Sequence, residues 1–399
     1  MITRGSLLWP AAALALLWAV ATTVGPFSDT TVNDLYVYRT YADLLLDGRL
    51  PYLDFGFEYP PLAALPLWAA GLPGTGEPAY AVSFAVLMAG CALVGQVLAA
   101  RLAGGTRQGL VVAWLLALAP VVIGASVRTH FDALPVAFAL GGLLALSRDR
   151  PSLGFLLLGL GTMTKLFPGL LAVLAFVWLM ARGERRAALR GGAIFVAVVV
   201  AISLPFAGSG YVESFTFHKE RPVQIESTPA TVLFALGDSD VTGTNLRPDR
   251  FKSNGLDGGR AEAVQALFAV LLVLALAGMV ALAARARDPR HLVLCGFAAL
   301  LAFVTLGKVF SPQYVIWLAP FAALAWVFHQ RVVAGLVGAA IVLTHVEFPS
   351  RYFDLINEDP TAIWIVAARN ALLLLALVIL VVALGRAQPR PGTRIPASS

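Results

Sequence analysis

AEAVQALFAVLLVLALAGMVALAA, residues 261–284, runs for 24 positions with a single acid, Glu262, and no base. At about 1.5 Å per residue such a helix covers roughly 36 Å, more than the ~30 Å of hydrocarbon in a bilayer. Arg285, Arg287 and Arg290 close it at one end. Outward from this stretch the same pattern repeats, long apolar run against short polar punctuation. Spans are predicted near 7–25, 79–100, 109–125, 131–147, 152–163, 166–181, 192–207, 261–284, 291–306, 312–328, 332–346 and 361–385. Composition agrees, with 59% hydrophobic and 13% charged residues, where a soluble domain carries about 25% charged. The expected fold is all-α and integral to the membrane, with about 12 transmembrane helices. Residues 1–386 are expected to form one polytopic unit and 387–399 a cytoplasmic tail.

The net charge of +6 invites a nucleic-acid reading, but its distribution decides otherwise. With Arg4 placed in the cytoplasm, sixteen bases and only three acids (Asp149, Glu184, Asp288) fall on that side. Thirteen bases and twenty acids fall on the other. Short loops such as 182–190 and 285–290 carry most of this asymmetry, which is the positive-inside signal that orients helices during insertion. Both termini are therefore expected in the cytoplasm, and no nucleic-acid partner is implied. Arg4, the apolar run after it and Ala19-Val20-Ala21 also imitate a cleavable signal peptide; the spans that follow favour an uncleaved first helix. Cys91 and Cys295 lie inside apolar blocks and read as packing residues.

The two longest loops, about 26–78 and 208–260, both fall outside. Long ordered loops on a rigid scaffold are where function concentrates. In the first, Asn33 is suited to cap a helix beginning at Asp34, and Gly48 to end it. Leu35, Tyr38, Ala42, Leu45 and Leu46 form one apolar stripe, the mark of a helix lying in the membrane interface. The apolar stretch 62–72 is too short to span. Between two short spans sits Thr164-Lys165-Leu166-Phe167-Pro168-Gly169, where non-helical backbone at membrane depth implies a cavity. In the second loop, Thr228 as N-cap with Pro229 in the first turn predicts a short helix through Leu236. Residues 237–260 are polar and suited to a mobile lid.

Several of these blocks resemble membrane glycosyltransferases of the GT-C fold, and glycosyltransferase family 87 above all. They are Asp34-Leu35-Tyr36-Val37-Tyr38, Gly48, Pro51-Tyr52 and Glu58-Tyr59-Pro60-Pro61-Leu62. Lys165-Leu166-Phe167-Pro168-Gly169, Gln224-Ile225-Glu226-Ser227 and Lys308-Val309-Phe310-Ser311-Pro312-Gln313-Tyr314 follow in the same order. The resemblance implies a polyprenyl-phosphate sugar donor, with mannose the expected hexose. It also implies a lipid or glycolipid acceptor and inversion at the sugar carbon. The site would then face away from the cytoplasm at the plasma membrane.

Such chemistry asks for a base near the acceptor hydroxyl and for cations or amides on the departing phosphate. Asp34 matches the family's acidic residue after the first helix and is the candidate base, with Asp29 its nearest rival; as a helix N-terminal acid, Asp34 also has a purely structural explanation. Glu58, His130 and Asp132 are further acid–base or binding candidates, the last also readable as a helix cap. The chain has four lysines, Lys165, Lys219, Lys252 and Lys308. Of these Lys165 and Lys308 sit at span edges beside proline motifs and are the phosphate candidates, with Arg128 and Arg221 in support. His218 and His345 are candidates for proton transfer or sugar contact, and Glu226, Gln313 and Tyr314 for sugar hydroxyls, with Trp317 as a packing face. No metal site is implied; Asp238-Ser239-Asp240 reads as a solvated turn. A secondary transporter or flippase is the rival reading, and would need a midplane cavity open to both sides.

Overall fold

The structure, a computed structural model, describes residues 5–237, 241–242 and 254–386. Helices α1 (Leu8–Ala21), α2 (Leu35–Leu46), α3 (Ala64–Gly71), α4 (Glu77–Leu102) and α5 (Thr106–Ala117) come first. Two short helices, α6 (Ala119–Val122) and α7 (Ser126–Thr129), lead into α8 (Ala133–Leu146), α9 (Pro151–Thr162), α10 (Pro168–Ala181), α11 (Arg185–Ser203) and α12 (Ser209–Glu220). Strand β1 (Val223–Gln224), α13 (Thr228–Ala235), β2 (Val241–Thr242) and β3 (Gly255–Leu256) make up a small polar unit. The chain closes with α14 (Gly259–Arg285), α15 (Pro289–Leu306), α16 (Val315–Val327), α17 (Arg331–Glu347), α18 (Tyr352–Ile356) and α19 (Pro360–Arg386).

Each predicted span overlaps a helix, and five helices are long and apolar enough to cross a membrane. Four of them, α4, α11, α14 and α19, turn large apolar side chains outward, while α15 is largely enclosed. On α14, Val270, Val273 and Leu274 are all more than half exposed, which water would penalise and lipid does not. This is a multi-pass helical membrane protein. The all-α expectation needs one correction: the 208–260 loop contributes a three-stranded antiparallel sheet, ordered β1-β3-β2. Val223 and Leu256 bury one side of it against Ala230 and Leu233 of α13 and against Phe348, Tyr352 and Leu355. That packing ties the loop to the last helices. Residues 238–240, where the acidic turn was expected, and most of the proposed lid lie outside the described residues.

Local capping is shifted from the sequence-based expectation in two places. Helix α2 starts at Leu35, whose N–H donates to Asn33 Oδ1 at 2.8 Å; Asp34 is its N-cap residue but makes no side-chain cap. Gly48 ends the helix with φ +79°, the left-handed geometry glycine adopts without strain. Ser227, not Thr228, caps α13 by accepting from Ala230 N–H at 3.3 Å. Pro229 therefore falls one position deeper in the first turn, where its missing N–H still costs nothing.

Two glycines set the distance between α8 and α9. A Cβ on Gly142 would sit 2.7 Å from Leu158 Cγ, and one on Gly154 would sit 2.8 Å from Leu146 Cγ. Backbones that close leave no room for a larger residue. Gly142→Val is expected to destabilise the bundle by about 1–3 kcal/mol through overpacking, read as a lower thermal midpoint in detergent.

Candidate active site

A cavity of about 400 Å³ opens where α2, the Glu58–Pro60 segment, the break at Lys165, the α12–β1 turn and the 307–314 segment meet. It brings together most of the polar residues singled out by sequence: Asp34, Glu58, His130, Lys165, His218, Arg221, Glu226, Lys308, Gln313 and Tyr314 all line it. Asp132 lies immediately behind Lys165.

The start of α2 positions Asp34. With Asn33 taking the first free N–H, the Asp34 carboxylate is released to point sideways. Its Oδ2 accepts from the Tyr38 hydroxyl at 3.2 Å and lies 3.4 Å from His130 Nε2. The other imidazole nitrogen lies 3.1 Å from Thr129 Oγ1 and 3.3 Å from the Ser126 carbonyl, which fixes the ring plane. Burial alone would raise the Asp34 pKa, but His130, Lys165 and the Tyr38 hydroxyl outweigh it and hold the carboxyl below its ordinary value. Asp34 is therefore ionised at neutral pH, and about a third of its side chain faces the cavity.

Lys165 is held from behind. Its Nζ donates to Asp132 Oδ1 at 2.7 Å, and the Trp317 indole N–H donates to the same oxygen. Asp132 precedes α8 but makes no side-chain cap, so the capping explanation for it does not apply. The ammonium also stands 4.8 Å from the Phe131 ring centre and 5.5 Å from that of Trp317. Trp317 is clamped between Phe167 and Tyr314, with ring centres 4.4 and 4.0 Å away. The Asp132 carboxylate, itself held by the indole N–H, and the rings of Phe131, Trp317 and Tyr314, the last with its centre 5.9 Å away, thus aim a lysine at the cavity with little freedom of its own.

The remaining cations do different things. Lys308 Nζ donates to the carbonyls of Lys219 and Arg221 at 2.7 and 2.6 Å, pinning the α12–β1 turn. Burial and neighbouring Arg221 hold its pKa below the ordinary lysine value. His218 shares a hydrogen bond with the Glu58 carbonyl at 2.9 Å. Burial lowers its pKa against the pull of that carbonyl, so it is neutral at pH 7.

Three expected residues do not join this group. Arg128 donates to the carbonyls of Phe27 and Ser28 at 3.1 and 3.0 Å and lines a second cavity, of about 690 Å³, between α1, α2 and α4. His345 stacks on Phe27 with ring centres 5.4 Å apart and packs on Gly124. Asp29, the rival base, is occupied: it accepts from Thr31 N–H and Oγ1 and from Ser350 Oγ, and lines neither cavity.

Sequence reasoning missed the groups behind the far end of the cavity. Glu347, Arg369 and Asn370 are buried around Glu226. Asn370 Nδ2 and the Arg369 guanidinium both donate to the Glu226 carbonyl. An arginine in the middle of a 27-residue apolar helix is signal enough to have found them, since such a charge is a functional candidate by default.

An apolar helical bundle that encloses a carboxylate, an imidazole and a tethered ammonium defines a polytopic membrane protein with a charged internal cavity. The chain belongs to glycosyltransferase family 87, whose family model matches residues 57–312. The match includes Glu58, His130, Asp132, Lys165 and Lys308, while Asp34 and Gln313 lie outside it. Among solved structures, the chain is similar to the Archaeoglobus fulgidus oligosaccharyltransferase in its apo form, at 14% identity and a TM-score of 0.45, covering 94% of this chain and 55% of that one. It is also similar to the archaeal oligosaccharyltransferase AglB of the same organism in complex with an inhibitory peptide and a dolichol-phosphate, at 15% identity and a TM-score of 0.45, covering 95% and 56%. The chain thus spans a little over half the length of these proteins. Comparison with curated proteins finds no match.

Proposed function

We propose that this family 87 member transfers a hexose, mannose by the family resemblance, from a polyprenyl phosphate to a lipid or glycolipid hydroxyl on the non-cytoplasmic side of the plasma membrane. The observation that carries the reading is the pairing, in one cavity, of ionised Asp34 with Lys165 held on buried Asp132. In this mechanism the acceptor oxygen attacks the anomeric carbon from the side of Asp34, which takes the hydroxyl proton. A carbon–oxygen bond forms, the bond from that carbon to the phosphate oxygen breaks on the opposite face, and the configuration inverts. The lipid phosphate leaves with an added negative charge, met by Lys165 with Arg221 nearby, in a site where low dielectric strengthens the contact. Phosphate needs no strong general acid to leave. Tyr314, held by its stack on Trp317, offers aromatic surface for the sugar ring, and Phe303 and Leu272 supply apolar wall for the start of the prenyl chain.

In the same reading the chain follows a GT-C plan. All twelve predicted spans cross, both termini are cytoplasmic, and α2 lies in the outer interface. Its stripe packs on the bundle, with Tyr38 against Phe84 and Phe131, and leaves Tyr36 and Leu46 exposed for contact with lipid. Cysteine-accessibility labelling at Arg148 and Glu213 tests the sidedness; labelling of both from one side would overturn it.

The reaction itself is tested with purified protein in lipid, a radiolabelled polyprenyl-phosphate hexose and a membrane lipid extract. Label is expected to enter a glycolipid; none entering from any such donor would end the proposal and favour the transporter. The pH profile follows from Asp34. Its working form is the ionised one and its pKa is lowered, so kcat/KM should hold as pH falls from neutral through the ordinary carboxylate range. It should drop only below that. An acid limb near pH ~6 to 7 would instead point to a histidine as base.

A further inference from the structure

Three side chains of the cavity wall are polar and buried: Gln224, Gln313 and Glu226. Gln224 and Gln313 both line the cavity, are more than nine-tenths buried, and leave Oε1 without a hydrogen-bond partner among the described residues. Glu226 lines it too and is fully buried, with one carboxyl oxygen accepting from Gln224 and the carboxyl hydrogen-bonded to Glu347. An unmet buried acceptor costs about 1–3 kcal/mol, so two amide oxygens lining one pocket imply a ligand that brings donors. Sugar hydroxyls are such donors.

The charge count explains how these oxygens are held. Glu226 and Glu347 are both fully buried side by side, and a single buried guanidinium, Arg369, stands near both. Burial and the neighbouring carboxylate push Glu226 toward its protonated form, against Arg369 and Arg221, which favours one proton shared by the pair. Gln224 Nε2 donates to Glu226 Oε2 at 2.8 Å, which fixes the amide. The other groups around Glu226 are Arg221 from the α12–β1 turn, Tyr352 from α18 and Asn370 from α19.

We propose that Gln224 and Gln313 form a subsite that reads hydroxyls of an uncharged donor sugar, and that Glu226, sharing one proton with Glu347 over Arg369, is a positioning residue that orients Gln224. The subsite rests on the glycosyl-transfer reading above. Deprotonation of the pair would leave two carboxylates on one guanidinium and disturb the amide. Burial and the charge of Glu347 push Glu226 well above the ordinary carboxylate range, against Arg369 and Arg221, so the working protonated form is lost as pH rises.

Gln224→Leu and Gln313→Leu are the primary test. Each is expected to raise the donor KM about tenfold, the worth of one lost hydrogen bond to a hydroxyl; Gln313→Leu should do so without lowering the thermal midpoint, whereas Gln224→Leu also strips Glu226 of a partner and is read on KM alone. A merely structural glutamine would do the reverse. Glu347→Gln should flatten the rise of donor KM at alkaline pH and remove the infrared carbonyl stretch of a protonated carboxylic acid that the wild type shows. Wild-type donor KM in both leucine variants, or survival of that infrared band in Glu347→Gln, overturns the subsite. Failure of the wild type to transfer any polyprenyl-phosphate sugar overturns instead the reaction on which it rests, and the infrared result still stands apart from it.

Discussion

Asp34→Asn should cut sugar transfer by about 10²–10⁴-fold, the range a positioned general base supplies, while donor KM changes only a few-fold. Asparagine keeps the size of the side chain and an oxygen for the Tyr38 hydroxyl, so α2 and its packing persist. What it loses is the capacity to take a proton and the charge that faces His130 and Lys165. Measured as single-turnover rates at saturating donor, the loss should fall on the chemical step and not on binding. A variant that matches wild type would move the base to Glu58, the other carboxylate with cavity access besides Glu226.

Asp132→Ala is expected to lower stability by about 3–5 kcal/mol, because it strands the buried Lys165 ammonium without its counter-ion. The carboxylate is fully buried and satisfies both Lys165 and the Trp317 indole. Adding Lys165→Met removes the stranded charge and should restore most of the stability measured by denaturant unfolding in detergent. Transfer activity should stay lost in the double variant, since the cation for the departing phosphate is gone. Recovery of both together would mean that the pair only holds the bundle together.

Much of the fold is legible in the sequence because lipid imposes so blunt a rule. A run such as 261–284 has no other stable environment, and α14 lies where it predicts. The small sheet is not legible: β1, β2 and β3 are two residues each, too short for any alternation to register, and they form because α13 and α18 offer an apolar surface. In the site, Lys165 is legible because a broken helix at membrane depth must line something. Arg128 misleads because its guanidinium, expected on a phosphate, serves two backbone carbonyls across a hundred residues. Glu347 shows no such break at all. It sits at a helix end, where an acid is unremarkable until Glu226 and Arg369 are brought to it from loops and helices far along the chain.

The Asp132 contacts also bear on how the protein is made. Its partners lie 33 and 185 positions further along the chain. At about 5–20 residues per second of synthesis, Lys165 follows within roughly 2–7 s but Trp317 only after about 10–40 s. During that interval a nascent chain carries a half-satisfied carboxylate, an open end that insertion machinery or a quality-control protease can recognise. Late assembly of α16 against α8 would close it, so substitutions at Trp317 should shorten the cellular lifetime of the protein more than they lower its stability once folded.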